Sequence, residues 1–317
     1  MFQCYRLVFR LFHSTAHGIC CEISLRPEDD ERGDKGNNDI KRQQVEYVFS
    51  TQQKINSLPG DALDKFINVT ALNLINVNLT TVTYRHFKHL VQLKYLDLSC
   101  NKLRKLPRRV FKECENLADI SLTGNQIMDI DENAFAGLEN LKRISLRKNS
   151  IMSFHPDTFK QTSKLEVLAL ESNSIYKIDG HLLRNLTMLT KLELKANKIF
   201  KLHPDAFKHL THLKTLDLEE NQLTAIHPHL FQNTIALETL NLSNNLLTKI
   251  HPMAFNFLAN LQVLNLNNNE ISGIPVELFR QQGKLRELNM HVNKICQIHP
   301  GAFKGLSTIK TMNLSMN

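Results

Sequence analysis

The sequence predicts an α/β solenoid: a curved, horseshoe-shaped stack of short units with a parallel β-sheet on the concave face and irregular or short helical turns on the convex face. Three observations carry this. The apolar frame of Leu141-Lys142-Arg143-Ile144-Ser145-Leu146-Arg147-Lys148-Asn149-Ser150-Ile151 opens again at Val69, Leu93, Leu117, Leu165, Leu189, Leu213, Leu237, Leu261, Leu285 and Ile309. Every step is 24 residues, with no insertion or deletion, and a period held that strictly means stacked supersecondary units. Numbered from the first apolar residue, positions 4 and 6 of each unit are apolar around a position 5 that is polar in every unit except at Ala169, the alternation of a short strand with one buried face.

Residues 1–18 have the place and length of a secretory leader. Arg6 and Arg10 interrupt the apolar run Leu7-Val8-Phe9-Leu11-Phe12, whereas a leader carries its basic residues ahead of that run. The stretch reads either as a poor leader ending near Ala16-His17-Gly18 or as a wrongly joined first exon. Residues 19–68 read as an N-terminal cap, which the first unit needs because no neighbour covers its apolar side. Ile19 to Leu25 is expected to form a short edge strand, and Pro27 to Asp39 a solvated acidic loop. Val45, Val48, Ile55 and Leu58 fall at the apolar sites of a degenerate repeat one step before Val69, with Gln53 where asparagine belongs.

Residues 69–317 form the array, ten full units and a truncated eleventh. Position 9 is asparagine at Asn101, Asn125, Asn149, Asn173, Asn197, Asn221, Asn245, Asn269, Asn293 and Asn317, and only the first unit departs, with Val77. An amide both donates and accepts, so a buried ladder of asparagines satisfies backbone groups freed where each strand turns away. Position 19 is phenylalanine in every unit from Phe87 to Phe303 except at Leu183; a ring at the back of each coil fills the space between outer turns. His-Pro recurs at positions 15 and 16, as in His155-Pro156, His203-Pro204, His227-Pro228, His251-Pro252 and His299-Pro300. Proline there starts the outer turn, and the histidines read as surface residues rather than as a metal or pH-sensing set.

The pattern L-x-x-L-x-L-x-x-N-x-L-x-x-L-x(4)-F resembles the 24-residue typical class of leucine-rich repeat over residues 45–317. That resemblance implies an extracellular protein related to Toll-type receptor ectodomains, proteoglycans and adhesion proteins. The segment Lys54-Ile55-Asn56-Ser57-Leu58-Pro59, followed by Asn68-Val69-Thr70-Ala71-Leu72-Asn73-Leu74, is similar to secreted leucine-rich immune proteins of mosquitoes. The sequence departs from them in its adjacent cysteines and in lacking a C-terminal coiled-coil segment.

Five unblocked N-x-Ser/Thr triplets, at Asn68, Asn78, Asn185, Asn241 and Asn313, are candidate glycosylation sites and favour an extracellular location. Of the six cysteines, Cys20 and Cys21 are the disulfide candidates of the cap, although neighbours in sequence rarely bond to each other. Cys100 lies beside a strand end, and Cys114 replaces leucine at position 22 and is expected to be a buried thiol. Cys296 is expected to be exposed and is the candidate for an intermolecular bond. No apolar run approaches the ~20 residues of a membrane helix. The net charge of +8 is mild for 317 residues and favours acidic surfaces in general.

Function is expected where positions 2, 3, 5, 7 and 8 project from the inner sheet. The unit at Leu141 places Lys142, Arg143, Arg147 and Lys148 on one short strand, and position 7 of the following units supplies Glu171, Lys195 and Glu219. Adjacent strands lie ~4.8 Å apart, so these charges are expected to alternate across strands. They are the candidate partner-binding residues, for another protein or a glycan or microbial-surface component. The flanking acids oppose nucleic acid. No phosphate loop, nucleophile elbow or metal-ligand cluster is visible, so the sequence points away from an enzyme, a metal and a cofactor. The last unit stops at position 9, so either the chain is a fragment, the favoured reading, or a partner, as in a dimer, covers that end. The expected function is extracellular recognition through the concave face; the alternative is a truncated ectodomain of a transmembrane Toll-like or adhesion receptor.

Overall fold

The computed structural model describes residues 58–317 in full and, before them, the backbone of three strands, Arg6–Leu7, Cys20–Arg26 and Gln44–Ser50. The solenoid is as expected. Fourteen strands form one sheet, and from Gln44–Ser50 onward each pairs in parallel with the next. Within the array each strand of this sheet covers positions 3 to 5 of a unit, as in Arg143–Ser145, Val167–Ala169 and Lys191–Glu193. Three further parallel pairs of two-residue strands lie at positions 13 and 14: Lys105–Leu106 with Asp129–Ile130, Lys177–Ile178 with Lys201–Leu202 and Gly273–Ile274 with Gln297–Ile298. Ile144, Leu168 and Leu192 stand opposite one another in register, so the 24-residue period is also the pairing register.

The outer side is made of turns. The single α-helix among the described residues is Tyr84–Phe87. Positions 1, 4, 6 and 11 are buried along the array up to Met290, and Leu165, Leu168, Leu170 and Ile175 are each 0% exposed. The position-19 rings stack behind them: Phe207 on Phe231 at 6.2 Å and Phe255 on Phe279 at 6.4 Å, within 6° of parallel. Leu183, the exception in sequence, fills the same column and is buried. Rings 5.3 to 6.4 Å apart at the back and strands ~4.8 Å apart in front make the back longer than the front. The coil therefore curves with its sheet on the concave side.

The asparagine ladder closes the turn after each strand. Asn197 Nδ2 donates to the carbonyls of Leu170 and Leu194, both at 3.0 Å, and its Oδ1 accepts the Ile175 N–H at 3.0 Å. The same bonds recur from Asn101 to Asn293, and Asn317 repeats them at the last strand. The residue before each asparagine is left-handed: Cys100, Lys148, Ser172, Ala196, Glu220, Asn244, Asn268, Val292 and Met316 have φ between 52° and 59°, and Gly124 has φ 68°. Position 8 is thus a turn residue first, and a projecting site only within that limit.

The His-Pro steps also have a structural task. Nδ1 of His155, His203, His227 and His251 accepts the backbone N–H two residues on, at 3.1 to 3.2 Å. Asp131 and Asp179 hold the same place with a carboxylate.

One register differs from the expectation. Glu46, Tyr47 and Val48 pair with Ala71, Leu72 and Asn73, so the step from the cap to the first unit is 25 residues, and Tyr47 rather than Val48 opposes Leu72. The expected edge strand at Ile19 to Leu25 is Cys20–Arg26, paired antiparallel with Gln44–Ser50. The side chains of Cys20 and Cys21, the leader at 1–18 and the acidic loop lie outside the described residues.

Candidate functional site on the concave face

In and beside the strand Arg143–Ser145 the basic side chains project from the sheet, and neighbouring units answer three of the four one repeat away. Arg143 binds Asp119 on the strand before it, with Nη2 at 2.6 Å from Oδ2. Lys142 reaches Glu166 at 3.1 Å, and Arg147 reaches Glu171 at 2.5 Å. Lys195 holds Glu219 at 2.9 Å and Glu220 at 3.5 Å. Lys148, on its left-handed turn, makes no ion pair with a described residue. The four positive charges expected on one strand are therefore three ion pairs and one free ammonium. Arg147, Glu171, Lys195 and Glu219 fall into two pairs rather than one alternating ladder, because no ion pair joins Glu171 to Lys195 among the described residues.

A second rule governs the face. Position 7 of one unit meets position 5 of the next, 22 residues on. Ser99 Oγ bonds Ser121 Oγ and Thr123 Oγ1 bonds Ser145 Oγ, both at 2.7 Å, and Glu219 Oε2 accepts from Asn241 Nδ2 at 3.0 Å. These diagonals pair groups that satisfy each other. The diagonal from Glu171 to Glu193 does not, since it sets two carboxyls together. Glu171 is 7% exposed, its Oε2 has no hydrogen-bond donor, and burial, with the Glu193 charge adding to it, pushes its carboxyl up to about 7. Burial also raises Asp217, while the hydrogen bond from Lys195 to Glu219 raises the lysine. Sequence reading assigned Glu171 to an exposed ladder and missed the role of Glu193. The signal was present in the 22-residue diagonal, which the 24-residue period hides.

Beyond this belt the face is amide-lined. Asn265 accepts from Asn289 at 2.9 Å. Of the candidate glycosylation sites, Asn68 is exposed and Asn78 half-buried; Asn185 Nδ2 bonds the Lys160 carbonyl at 2.8 Å. Asn241 and Asn313 lie on the concave face, each accepting the serine hydroxyl of its own triplet, at 2.7 and 2.8 Å. Cys114 is buried, and burial pushes its thiol up to about 12, whereas Cys100 and Cys296 are exposed thiols. Among the described residues no cluster of histidine, cysteine and carboxylates could hold a metal, and no helix is long and apolar enough to cross a membrane.

Comparison with solved structures returns repeat proteins of the same shape. The TLR13–ssRNA13 complex contains a chain 28% identical, with a TM-score of 0.72, covering 80% of this chain and 41% of that one. The Toll receptor of the Drosophila Toll–Spatzle complex is 24% identical with a TM-score of 0.66, covering 82% of this chain and 37% of that one. The leucine-rich repeat domain of APL1B is 18% identical with a TM-score of 0.70, covering 84% and 74%. The chain thus spans about two fifths of the first two proteins, and the likeness to the last two is one of fold. No curated protein sequence matches the chain. The leucine rich repeat family model matches residues 92–151, 139–199, 187–247 and 235–295, so with its period, asparagine ladder and parallel inner sheet the chain belongs to the leucine-rich repeat family.

Proposed function

We propose that this chain is a non-enzymatic extracellular recognition protein of the typical 24-residue class. It binds a protein or microbial-surface ligand, in innate-immune fashion, through the concave belt of Lys142, Arg143, Arg147, Lys148, Glu171, Lys195 and Glu219. The observation that supports this most is the asymmetry of the belt's ion pairs. The side chains of Lys142, Arg143 and Arg147 are 50 to 55% exposed, whereas those of their partners Glu166, Asp119 and Glu171 are 40%, 17% and 9% exposed. The exposed pair of Lys142 with Glu166 contributes only ~0–1 kcal/mol to a fold, so that lysine is free to exchange its carboxylate for a partner's. Arg143 and Arg147 turn half-exposed guanidinium groups outward from carboxylates that the sheet already holds. The solenoid holds them on a rigid concave surface of the kind such arrays use for partners. The five candidate glycosylation sites support the extracellular location.

A second reading, part of the ectodomain of a longer Toll-like or adhesion receptor, is favoured by the 28% identity to a chain of which this one covers 41%. That protein is seen with ssRNA13, so RNA belongs in the test, although Asp119, Glu166 and Glu171 oppose phosphate on this face.

The experiment is surface plasmon resonance of the secreted chain and its R143E/R147E variant against purified candidate proteins, peptidoglycan, lipopolysaccharide and single-stranded RNA. The expected result is a protein or envelope ligand whose affinity falls at least about ten-fold in the variant. Binding that is indifferent to the variant across the whole panel would return the belt to a solvated surface. Secretion of a chain whose mass falls on endoglycosidase treatment is expected; a chain retained in the cytosol sinks both extracellular readings.

A further inference from the structure

A different face of the solenoid carries an unexplained row. Position 12 lies on the flank, between the inner sheet and the outer turns, and in four consecutive units it is Met128, Met152, Tyr176 and Phe200. Met128, Met152 and Phe200 are 58%, 59% and 54% exposed, and Tyr176 is half-buried. The units on either side put Arg104 and Thr224 at this position, so the row begins and ends abruptly. Core packing does not account for it, because positions 11 and 14 of the same units already supply buried residues such as Ile127, Ile151, Ile175 and Ile178. Four large apolar side chains aligned in water over consecutive repeats form the kind of contiguous patch that marks an interaction surface.

The surroundings select the occupant. Lys177, Lys198 and Lys201 stand at positions 13 and 10 beside Tyr176 and Phe200, and none makes an ion pair with a described residue. Lys177 Nζ lies over the Tyr176 ring at 5.7 Å. At positions 10, 12 and 13 of these four units Asp129 is the only acid in the sequence, and Lys105 holds it at 3.6 Å. The face is apolar along its axis and cationic at one end, complementary to an anionic partner.

Spacing narrows this further. The rings of Tyr176 and Phe200 stack 6.3 Å apart and 12° from parallel. An extended peptide advances about 3.3 Å per residue, so every second residue meets the next repeat. Its alternate side chains then lie on the row, and those between them reach the lysines. Nucleic acid fits less well, since half the row is methionine and offers no π-face for a base. A lipid surface wants a broad apolar face rather than a row one residue wide.

We infer that this flank is a docking strip for an extended protein segment in which apolar residues alternate with aspartate or glutamate, with Met128, Met152, Tyr176 and Phe200 taking the apolar side chains and Lys177, Lys198 and Lys201 the carboxylates. It is separate from the concave belt and stands or falls independently of it.

The test uses the full chain and a fluorescent peptide of about ten residues alternating leucine and glutamate, a length that spans four repeats. Anisotropy is expected to show saturable, salt-weakened binding. M152S/F200S and K177E/K201E are each expected to weaken it about ten-fold or more, and R143E/R147E to leave it unchanged. All these side chains are exposed, and circular dichroism verifies that each variant stays folded. Oligo-uridine RNA and phosphatidylserine vesicles are expected not to displace the peptide. Absence of saturable peptide binding, or binding indifferent to both flank variants, overturns the inference. So does RNA or vesicle binding that the flank variants abolish and the peptide does not compete with.

Discussion

Glu171 and Glu193 set carboxyl against carboxyl across adjacent strands of the concave face, and the first of them is buried. Two ionised carboxylates offer each other only acceptors, which is why Glu171 Oε2 has no donor. One proton held between them supplies it. Arg147 on Glu171 Oε1 offsets part of the charge but does not reach the other oxygen's need.

Stability therefore depends on pH through this pair. The folded Glu171 carboxyl keeps its proton up to about 7, against 4.5 ordinarily. Between those values the folded chain binds more protons than the unfolded one, so stability falls as pH rises through the window. The expected loss is roughly 1–3 kcal/mol. Glu171→Gln carries a permanent donor toward Glu193, so it is expected to flatten this dependence and to be the more stable protein at pH 8. Urea unfolding of both proteins between pH 5 and 8 checks this; parallel curves would show that no proton is held there.

The asparagine ladder predicts a steep local cost. Asn197→Ala strands the Ile175 N–H and the Leu170 and Leu194 carbonyls, all in buried surroundings. A loss of roughly 2–4 kcal/mol is expected. Because each repeat contacts only its neighbours, hydrogen exchange is expected to accelerate first in the units around residues 165–213 rather than uniformly. Equal acceleration in the terminal units would contradict that.

Position 8 offers a gain in stability. Asn76, Asn244, Asn268 and Gly124 tolerate the left-handed turn, but Val292, at φ 52°, is a β-branched residue held there against its preference. Val292→Asn keeps the backbone bond to the Ser315 carbonyl and is expected to stabilise the chain by about 1 kcal/mol. An unchanged or lowered unfolding midpoint would show that valine's side-chain packing outweighs the strain.

Most of the solenoid was legible in the sequence because its cause is periodic. The residues that fill the core and bond the turn must recur with every coil, so Leu168, Asn173 and Phe159 announce themselves by position. What was not legible is what breaks or crosses the period. The step from the cap to the first unit is 25 residues, so it falls outside the strict period that the rest of the chain displays. Glu171 and Glu193 meet on a 22-residue diagonal that no single column of the repeat displays. The partners of Lys142 and Arg143 are hidden because Glu166 and Asp119 stand at positions 2 and 3 of their units, outside the position-7 column that pairs Arg147 with Glu171. The row from Met128 to Phe200 is plain in position 12 once exposure shows that this position does not point inward.

The histidines at position 15 lie at the surface and also take part in the turn that the following proline starts. His251 is exposed, yet its Nδ1 accepts the Met253 N–H at 3.1 Å, so the ring does the work that Asp131 and Asp179 do in their own units. The same N–H would otherwise be an unpaired donor at the start of the outer turn. His251→Ala is expected to cost about 1 kcal/mol, in the range of a lost cap. His251→Asp places an acceptor at the same offset and is expected to restore wild-type stability at neutral pH, while His251→Lys, which is exposed and charged but cannot accept, is expected to behave like alanine. Urea unfolding of the three variants separates the capping role from a role of surface charge. If lysine matches the wild type and aspartate does not, charge and not the Nδ1 lone pair is what position 15 supplies.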